Sequence, residues 1–429
     1  MMISKTLFRV SKLFGLTVIA LTIFIACRDF KEPSGRQCFP ESVKIHRITS
    51  GPLHHFASAY YHLQSWSASE RYLLCLETDL ANHNPEADEP ATLGMVDLER
   101  GEFIPLAKTY AWNFQQGTMQ HWLGRSPDSL IIYNDFRNGR FVSVILNVHT
   151  KKEIKIIGRP VSAVSHDGRK AVSLNFARLS ITRPGYGYSA PGDDPRIDIK
   201  QPEDDGLYYI DLETGESKLI VSIAEIYRRY PLPPEVKDPL FWFNHTLINT
   251  DDTRVFFMAR TNKPNSNALL TAGYTVNLDG TDLRQVIGYK TYGASHFDWL
   301  SPEKLMVTTY HEPGGEWSHV LFTDGKQDFR VLGPGILIRD GHGAFSPDGC
   351  WMVTDTYPDY EYKRTLLLMN MANDAVMPLG RFFHDPQKFS GPCRCDLHPR
   401  WNHSGDKLCF DSVHEGTRQV YIADLDFGR

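Results

Sequence analysis

Seven times along the chain a turn rich in Ser, Asp, Asn, Pro and Gly runs straight into a short apolar strand. The copies are SASERYLLCLET (67–78), SPDSLIIYND (126–135), SHDGRKAVSLN (165–175), NTDDTRVFFMAR (249–260), SPEKLMVTTYH (301–311), SPDGCWMVTDT (346–356) and NHSGDKLCFDS (402–412). A strand, a polar turn and another strand follow the first six, as in LGMVDLERGEFIPL and GYTVNLDGTDLRQVI, and QVYIADLDFGR follows the last. A repeat whose unit cannot bury its apolar faces alone must stack on its neighbours. Four short antiparallel strands per unit is the pattern of a propeller blade. The expectation is an all-β chain forming a single seven-bladed β-propeller over residues 42–429. Equal counts of both half-units favour one ring over two smaller β domains. The last unit ends at Arg429 after its third strand, and SVKIHRITS (42–50) precedes the first. That segment is expected to supply the missing strand, close the ring and remove an exposed edge.

The N-terminus does not belong to this pattern. MMISKTLFRVSK is basic, and LFGLTVIALTIFIAC is an apolar run ending at Ala26-Cys27. The run is short and asymmetric for a membrane span and reads as an export segment. A small residue directly before Cys is similar to a bacterial lipobox, with Phe24 where Leu is usual. The expectation is a lipoprotein-type signal over residues 1–26, a lipid anchor to the membrane at Cys27, a linker over 27–41, and a periplasm-facing or cell-surface location. A net charge of −5 over 429 residues, with the signs mixed, lacks the basic face that nucleic acid requires. Cys75, Cys350 and Cys409 lie in apolar runs and read as buried thiols. Cys38, Cys393 and Cys395 are free to pair after export.

In a propeller blade the first strand lines the central channel. Its starting end shares one mouth with the loops that join second and third strands. His245, His296, His342 and His398 all stand four or five residues before a turn, and so converge on that mouth; His121 and His62 hold similar places. Imidazoles gathered in a small space are natural metal ligands, so a divalent metal is expected on His245, His296, His342 and His398, against the alternative of a hydrogen-bonded polar plug. The third unit carries a long insertion, NFARLSITRPGYGYSAPGDDPRIDIKQPEDDG (175–206). Loops this long in compact repeats are functional or disordered. Its Arg178, Arg183, Tyr186, Tyr188 and Arg196 suit an anionic, ring-shaped ligand, because Arg grips carboxylate bidentately and Tyr stacks on sugar faces or donates a proton.

The motifs SHFDW, DGHGAFSPDG, RCDLHPRW and DSVHEGTRQVY, with NFARL and TRPGYGY, resemble bacterial seven-bladed propellers related to oligogalacturonate lyase, ulvan lyases and rhamnose–glucuronate lyases. The SPDG units resemble the Tol-B type of repeat, and the resemblance spans roughly residues 45–429. In oligogalacturonate lyase histidines and a Gln hold manganese on the axis, and His245, His296, His342 and His398 fall on matching strands. The ulvan-type pattern implies His121 and Tyr188 (or Tyr186) as acid–base residues and Arg183 or Arg196 as the arginine. Asn134 stands where that pattern has a second His, which leaves the base open. The resemblance implies a metal-assisted lyase, with manganese or calcium, cleaving acidic oligosaccharides by β-elimination. His121, Tyr188 and Arg183 would be catalytic, with Tyr186, Arg178, Arg196 and Asn134 as substrate contacts. The chemistry fits these residue types: removing a proton α to a carboxylate needs the carboxylate neutralised, a base, and an acid for the leaving oxygen. Two alternatives stand beside it: a glycoside hydrolase using acids such as Asp355, Asp411 or Glu415, and a non-catalytic propeller that binds glycan or protein.

Overall fold

The computed structural model describes residues 38–57, 60, 63–126, 128–192, 195–289, 293–310 and 315–428. The export segment, Cys27, most of the linker and His62 lie outside the described residues. The chain is all-β: seven separate four-stranded antiparallel sheets, each built from strands consecutive in sequence except the last. The innermost strands are His54–Phe56, His121–Trp122, Ala163–Val164, Trp242–Ile248, Ala294–Trp299, Ala344–Phe345 and Arg400–Trp401, for blades one to seven. In blade seven the strand Gln419–Asp426 takes Ser42–Arg47 as its outer neighbour, with Ser42 opposite Asp426 and Arg47 opposite Tyr421.

Burial falls from the axis outward. The second strand of blade four, Arg254–Asn262, is buried along all but its last residue, because blades cover both of its faces. Such strands read as continuous apolar runs instead of alternating ones. The outermost strand of blade two, Lys152–Ile157, is mostly exposed, and its lysines and Glu153 guard a free edge.

Neighbouring blades are stitched by side chains at both ends of the channel. Near the SPDG-type turns, Trp122 donates its indole N–H to the Ser65 carbonyl at 3.0 Å, Trp299 to Leu247 at 3.2 Å, and Trp401 to Ala344 at 3.1 Å. Each indole bonds the innermost segment of the preceding blade. At the other end, polar side chains near the ends of second strands reach the next blade. Asn134 accepts from the Val161 N–H at 2.7 Å, Arg260 donates to the Ala294 carbonyl at 3.1 Å, Asp355 accepts from Leu397 N–H at 3.1 Å, and Asp411 accepts from Ala57 N–H at 2.8 Å.

Two features depart from the sequence reading. The insertion of blade three contains a short helix, Phe176–Thr182, capped by the Asn175 side chain, which accepts from the Arg178 N–H. Cys38, Cys393 and Cys395, expected to be available for pairing, are free thiols, with Cys393 and Cys395 buried; Cys75, Cys350 and Cys409 are buried as expected.

Deleting residues 42–50 tests whether the N-terminal strand closes the ring. It removes a six-residue ladder and bares a strand edge, at about 0.5–1.5 kcal/mol for each lost hydrogen bond. The expected outcome is a loss of several kcal/mol in urea unfolding and a tendency to associate; an unchanged midpoint would sink the closure.

Candidate functional site

The histidines meet at one level of the channel, and strand register says why. Counting back three residues from the last paired residue of each inner strand (Ile248, Trp299, Phe345, Trp401) lands on His245, His296, His342 and His398. The same count gives Leu63, Met119 and Val161 in blades one to three. One half of the channel wall is therefore apolar and the other half imidazole. Pairing shifts register at His245 and around His296, and a bulge there re-aims a side chain. His245 and His398 adopt left-handed backbone (φ 56° and 44°), as does Met119 at 53°. That conformation costs a non-glycine residue roughly 1–2 kcal/mol and clusters at functional sites. Gly341 before His342 is required by space, since a Cβ there would lie 2.1 Å from the Asp355 carbonyl oxygen.

All four imidazoles are buried, none more than 6% exposed. Ring centroids lie 3.9 Å apart for His296 and His342, and 4.3 Å for His342 and His398. Tyr60 sits among them, 5.0 Å from His398, 5.2 Å from His245, 6.1 Å from His342 and 6.3 Å from His296, with its hydroxyl 3.2 Å from His245 Nε2. In sequence it lies between the strand His54–Phe56 and Trp66, which bridges Leu73.

Carboxylates fix two of the rings. His296 Nδ1 bonds Asp340 at 2.9 Å, and His342 Nδ1 bonds Asp355 at 2.8 Å. Asp355 also accepts the backbone N–H of His342, Leu397 and His398. Burial would raise the Asp355 pKa, but the His342 imidazole and these bonds hold it below the usual range. Asp396, likewise buried, is held well below that range by Arg394 and Arg364, each 2.8 Å from a carboxylate oxygen. Burial pushes His245 and His398 well down, helped by Arg260 for the first and His342 for the second, and burial lowers His296.

The donors suit a divalent metal. Candidate ligand atoms of His342, Asp396 and His398 lie within 4.8 Å of one another. Among the described residues, His342 Nε2 and His398 Nε2 are buried with no hydrogen-bond partner. Two of the four predicted histidines thus combine with an aspartate that the sequence reading passed over, while His296 turns Nδ1 to Asp340 and His245 meets Tyr60.

The other predicted residues separate into groups. Tyr186 is buried beside the cluster, 5.2 Å from His245, and its hydroxyl accepts from Arg394 at 2.8 Å. The Arg183 guanidinium lies 5.1 Å from the Tyr186 ring. Tyr188 stacks on Phe176 at 4.5 Å, its hydroxyl accepts from Asn134, and burial pushes its pKa up. Asn134 is buried and spends its amide on Val161 and Tyr188. Arg178 donates to the carbonyls of Phe241, Arg196, Ile199 and Lys200, so it braces the insertion. Arg196 pairs with Asp204 at 2.7 Å.

His121 occupies a different register. It stands directly before Trp122, as Asp298 stands before Trp299 and Arg400 before Trp401. It accepts the Gln64 N–H at 2.9 Å and lines a cavity of about 490 Å³ with Asp298, Arg400 and the three stitching tryptophans. The acids considered for hydrolysis are occupied: Asp355 and Asp411 hold backbone amides, and Glu415 pairs with Arg47 at 2.6 Å.

By fold the chain is similar to an oligogalacturonate lyase from Vibrio parahaemolyticus, at 15% identity over 90% of this chain and 95% of that one, with a TM-score of 0.63. It is also similar to a structure described as oligogalacturonate lyase in complex with manganese, at 18% identity over 90% and 95%, with a TM-score of 0.64. No protein-family model matches the chain, and no curated protein does.

The buried histidines make stability depend on pH. His245, His296 and His398 have folded pKa values below the ordinary 6.5, so the unfolded chain binds protons that the folded one does not. Stability should therefore be full above about 6.5 and fall as pH drops below it. Asp355 and Asp396 have depressed values, and their contribution is lost only below about 3.9. Urea midpoints of metal-free protein should fall steadily from pH 7.5 to 5; a flat profile would mean that the imidazoles are not buried.

Proposed function

We propose that this chain is a metal-assisted lyase that cleaves uronic-acid-containing oligosaccharides by β-elimination. The observation that carries the reading is the imidazole half-ring with its candidate metal trio, standing beside Arg183 and Tyr186. A divalent ion such as manganese, held by His342, Asp396 and His398, would draw charge from the sugar carboxylate and make the adjacent proton more acidic. Arg183 binds that carboxylate. His296 takes the proton from C5, because Asp340 on Nδ1 leaves Nε2 as the basic nitrogen, the relation found wherever a carboxylate orients a catalytic His. The bond from C4 to the leaving oxygen breaks, a C4–C5 double bond forms, and the oxygen takes a proton from Tyr186. That hydroxyl accepts from Arg394, so its own hydrogen points elsewhere. Neutral imidazole is the form required of the base, and burial favours it at His296.

A hydrolase would need an available acid, and the three considered, Asp355, Asp411 and Glu415, are each engaged by other partners. Export and lipid anchoring at Cys27 complete the reading; Cys27→Ser should release the protein from membranes, and a variant that stays membrane-bound would point to an ordinary anchor.

The test of the reaction is ultraviolet absorbance of the unsaturated uronate when purified protein meets uronate glycans. His296→Ala and Tyr186→Phe should each lower kcat by about 10²–10⁴-fold, with smaller change in KM. Tyr188→Phe, which loses only its bond from Asn134, should stay within about tenfold of wild type. Loss of turnover in Tyr188→Phe with Tyr186→Phe unaffected would reverse the assignment. Cleavage without the chromophore would replace the lyase with a hydrolase.

A further inference from the structure

Two guanidiniums already occupy the carboxylate of the candidate metal trio. Among the described residues, Arg364 and Arg394 both bind Asp396, while Asp355 is held by His342 Nδ1 and backbone N–H groups and Asp340 by His296 Nδ1. Asp396, the one carboxylate in the trio, is thus shared by two arginines before any metal arrives. At low effective dielectric a doubly charged ion is poorly received there unless a guanidinium withdraws or an anion enters with it.

Arg394 is placed to do the first and recruit the second. Its side chain is 21% exposed, against 2% for Arg364, and it reaches both Asp396 and the Tyr186 hydroxyl. We propose that the metal and a sugar carboxylate occupy this mouth as a coupled pair, with Arg394 as the specificity-determining residue that joins them. When the metal takes Asp396, Arg394 turns to the uronate carboxylate. The choice of ligand rests on the lyase reading; the coupling itself does not depend on the reaction. A coupling between two ligands is reciprocal, so each must tighten the other by the same factor.

Calorimetric titration of metal-free protein with Mn²⁺ tests this, alone and with saturating galacturonate or glucuronate, and with galactose or glucose as uncharged counterparts. A uronate should tighten Mn²⁺ binding by about 5–150-fold and the neutral sugars should not. Arg394→Met keeps the length and removes the charge: it should bind Mn²⁺ alone more tightly than wild type, with the coupling factor falling toward one. Wild-type Mn²⁺ affinity unchanged by either uronate overturns the proposal without any variant, as does Mn²⁺ binding that fails under both conditions. Unsaturated product without coupling would remove this inference and leave the lyase standing; coupling without product would do the reverse.

Discussion

The structure depends on buried polar side chains that close the gap between one blade and the next. Asp355 shows the principle. It leaves the second strand of blade six and accepts N–H groups from its own inner segment and from blade seven. A carboxylate taken out of water is tolerable only when its oxygens are filled, and here backbone donors and an imidazole fill them. Removing one partner of such a buried arrangement costs about 3–5 kcal/mol, a large part of the 5–15 kcal/mol that a domain commonly holds in reserve. Asn134, Arg260 and Asp411 do comparable work at other junctions. Chemistry on this scaffold must be assembled from groups that the stitching leaves over.

Asp355 belongs to both systems, which ties site to scaffold. By holding His342 Nδ1 it fixes the ring and leaves Nε2 as the nitrogen for a metal, the outer-carboxylate arrangement that orients metal-binding histidines elsewhere. Burial then decides the charge state. Desolvation is the largest influence on His245, His296 and His398 and drives each toward the neutral form, which serves equally for ligating a cation and for accepting a proton.

Much of this was legible in the sequence because the repeat unit is so regular. The seven turns and strands specify the blades, and a His ahead of the turn marks the axis in blades four to seven. Distance from the turn fails as a ruler in blade two. His121 lies five residues before Ser126, as His296 lies before Ser301, yet pairing register puts Met119 at the level of the histidines. A bulge adds a residue without adding a pair, and nothing in composition announces it. Tyr60 was invisible because no turn or repeat marks it, and its place among the imidazoles shows only in the ring contacts. Asp396 lies within RCDLHPRW, but its part became readable only once Arg364, Arg394 and His398 were seen around it. Asn134 and Arg178, residue types suited to a ligand, also bond backbone, which their sequence context does not announce.

Arg178 nonetheless matters to the site through what it fixes. The insertion of blade three would be expensive to order during binding, because each immobilised residue costs of the order of 1–2 kcal/mol. Arg178 removes that expense by standing inside the loop and donating to backbone carbonyls of Pro195, Arg196, Ile199, Lys200 and Phe241. Asn175 starts the helix that carries it, and Arg183 ends that helix, with its backbone N–H bonded to Leu179. The guanidinium of Arg183 and the ring of Tyr186 therefore reach the mouth from a wall already folded, and binding energy need not be diverted to arranging them. The imidazole half of the channel comes from blades four to seven and the loop comes from blade three, so the site lies where regular repeats meet the insertion that breaks them.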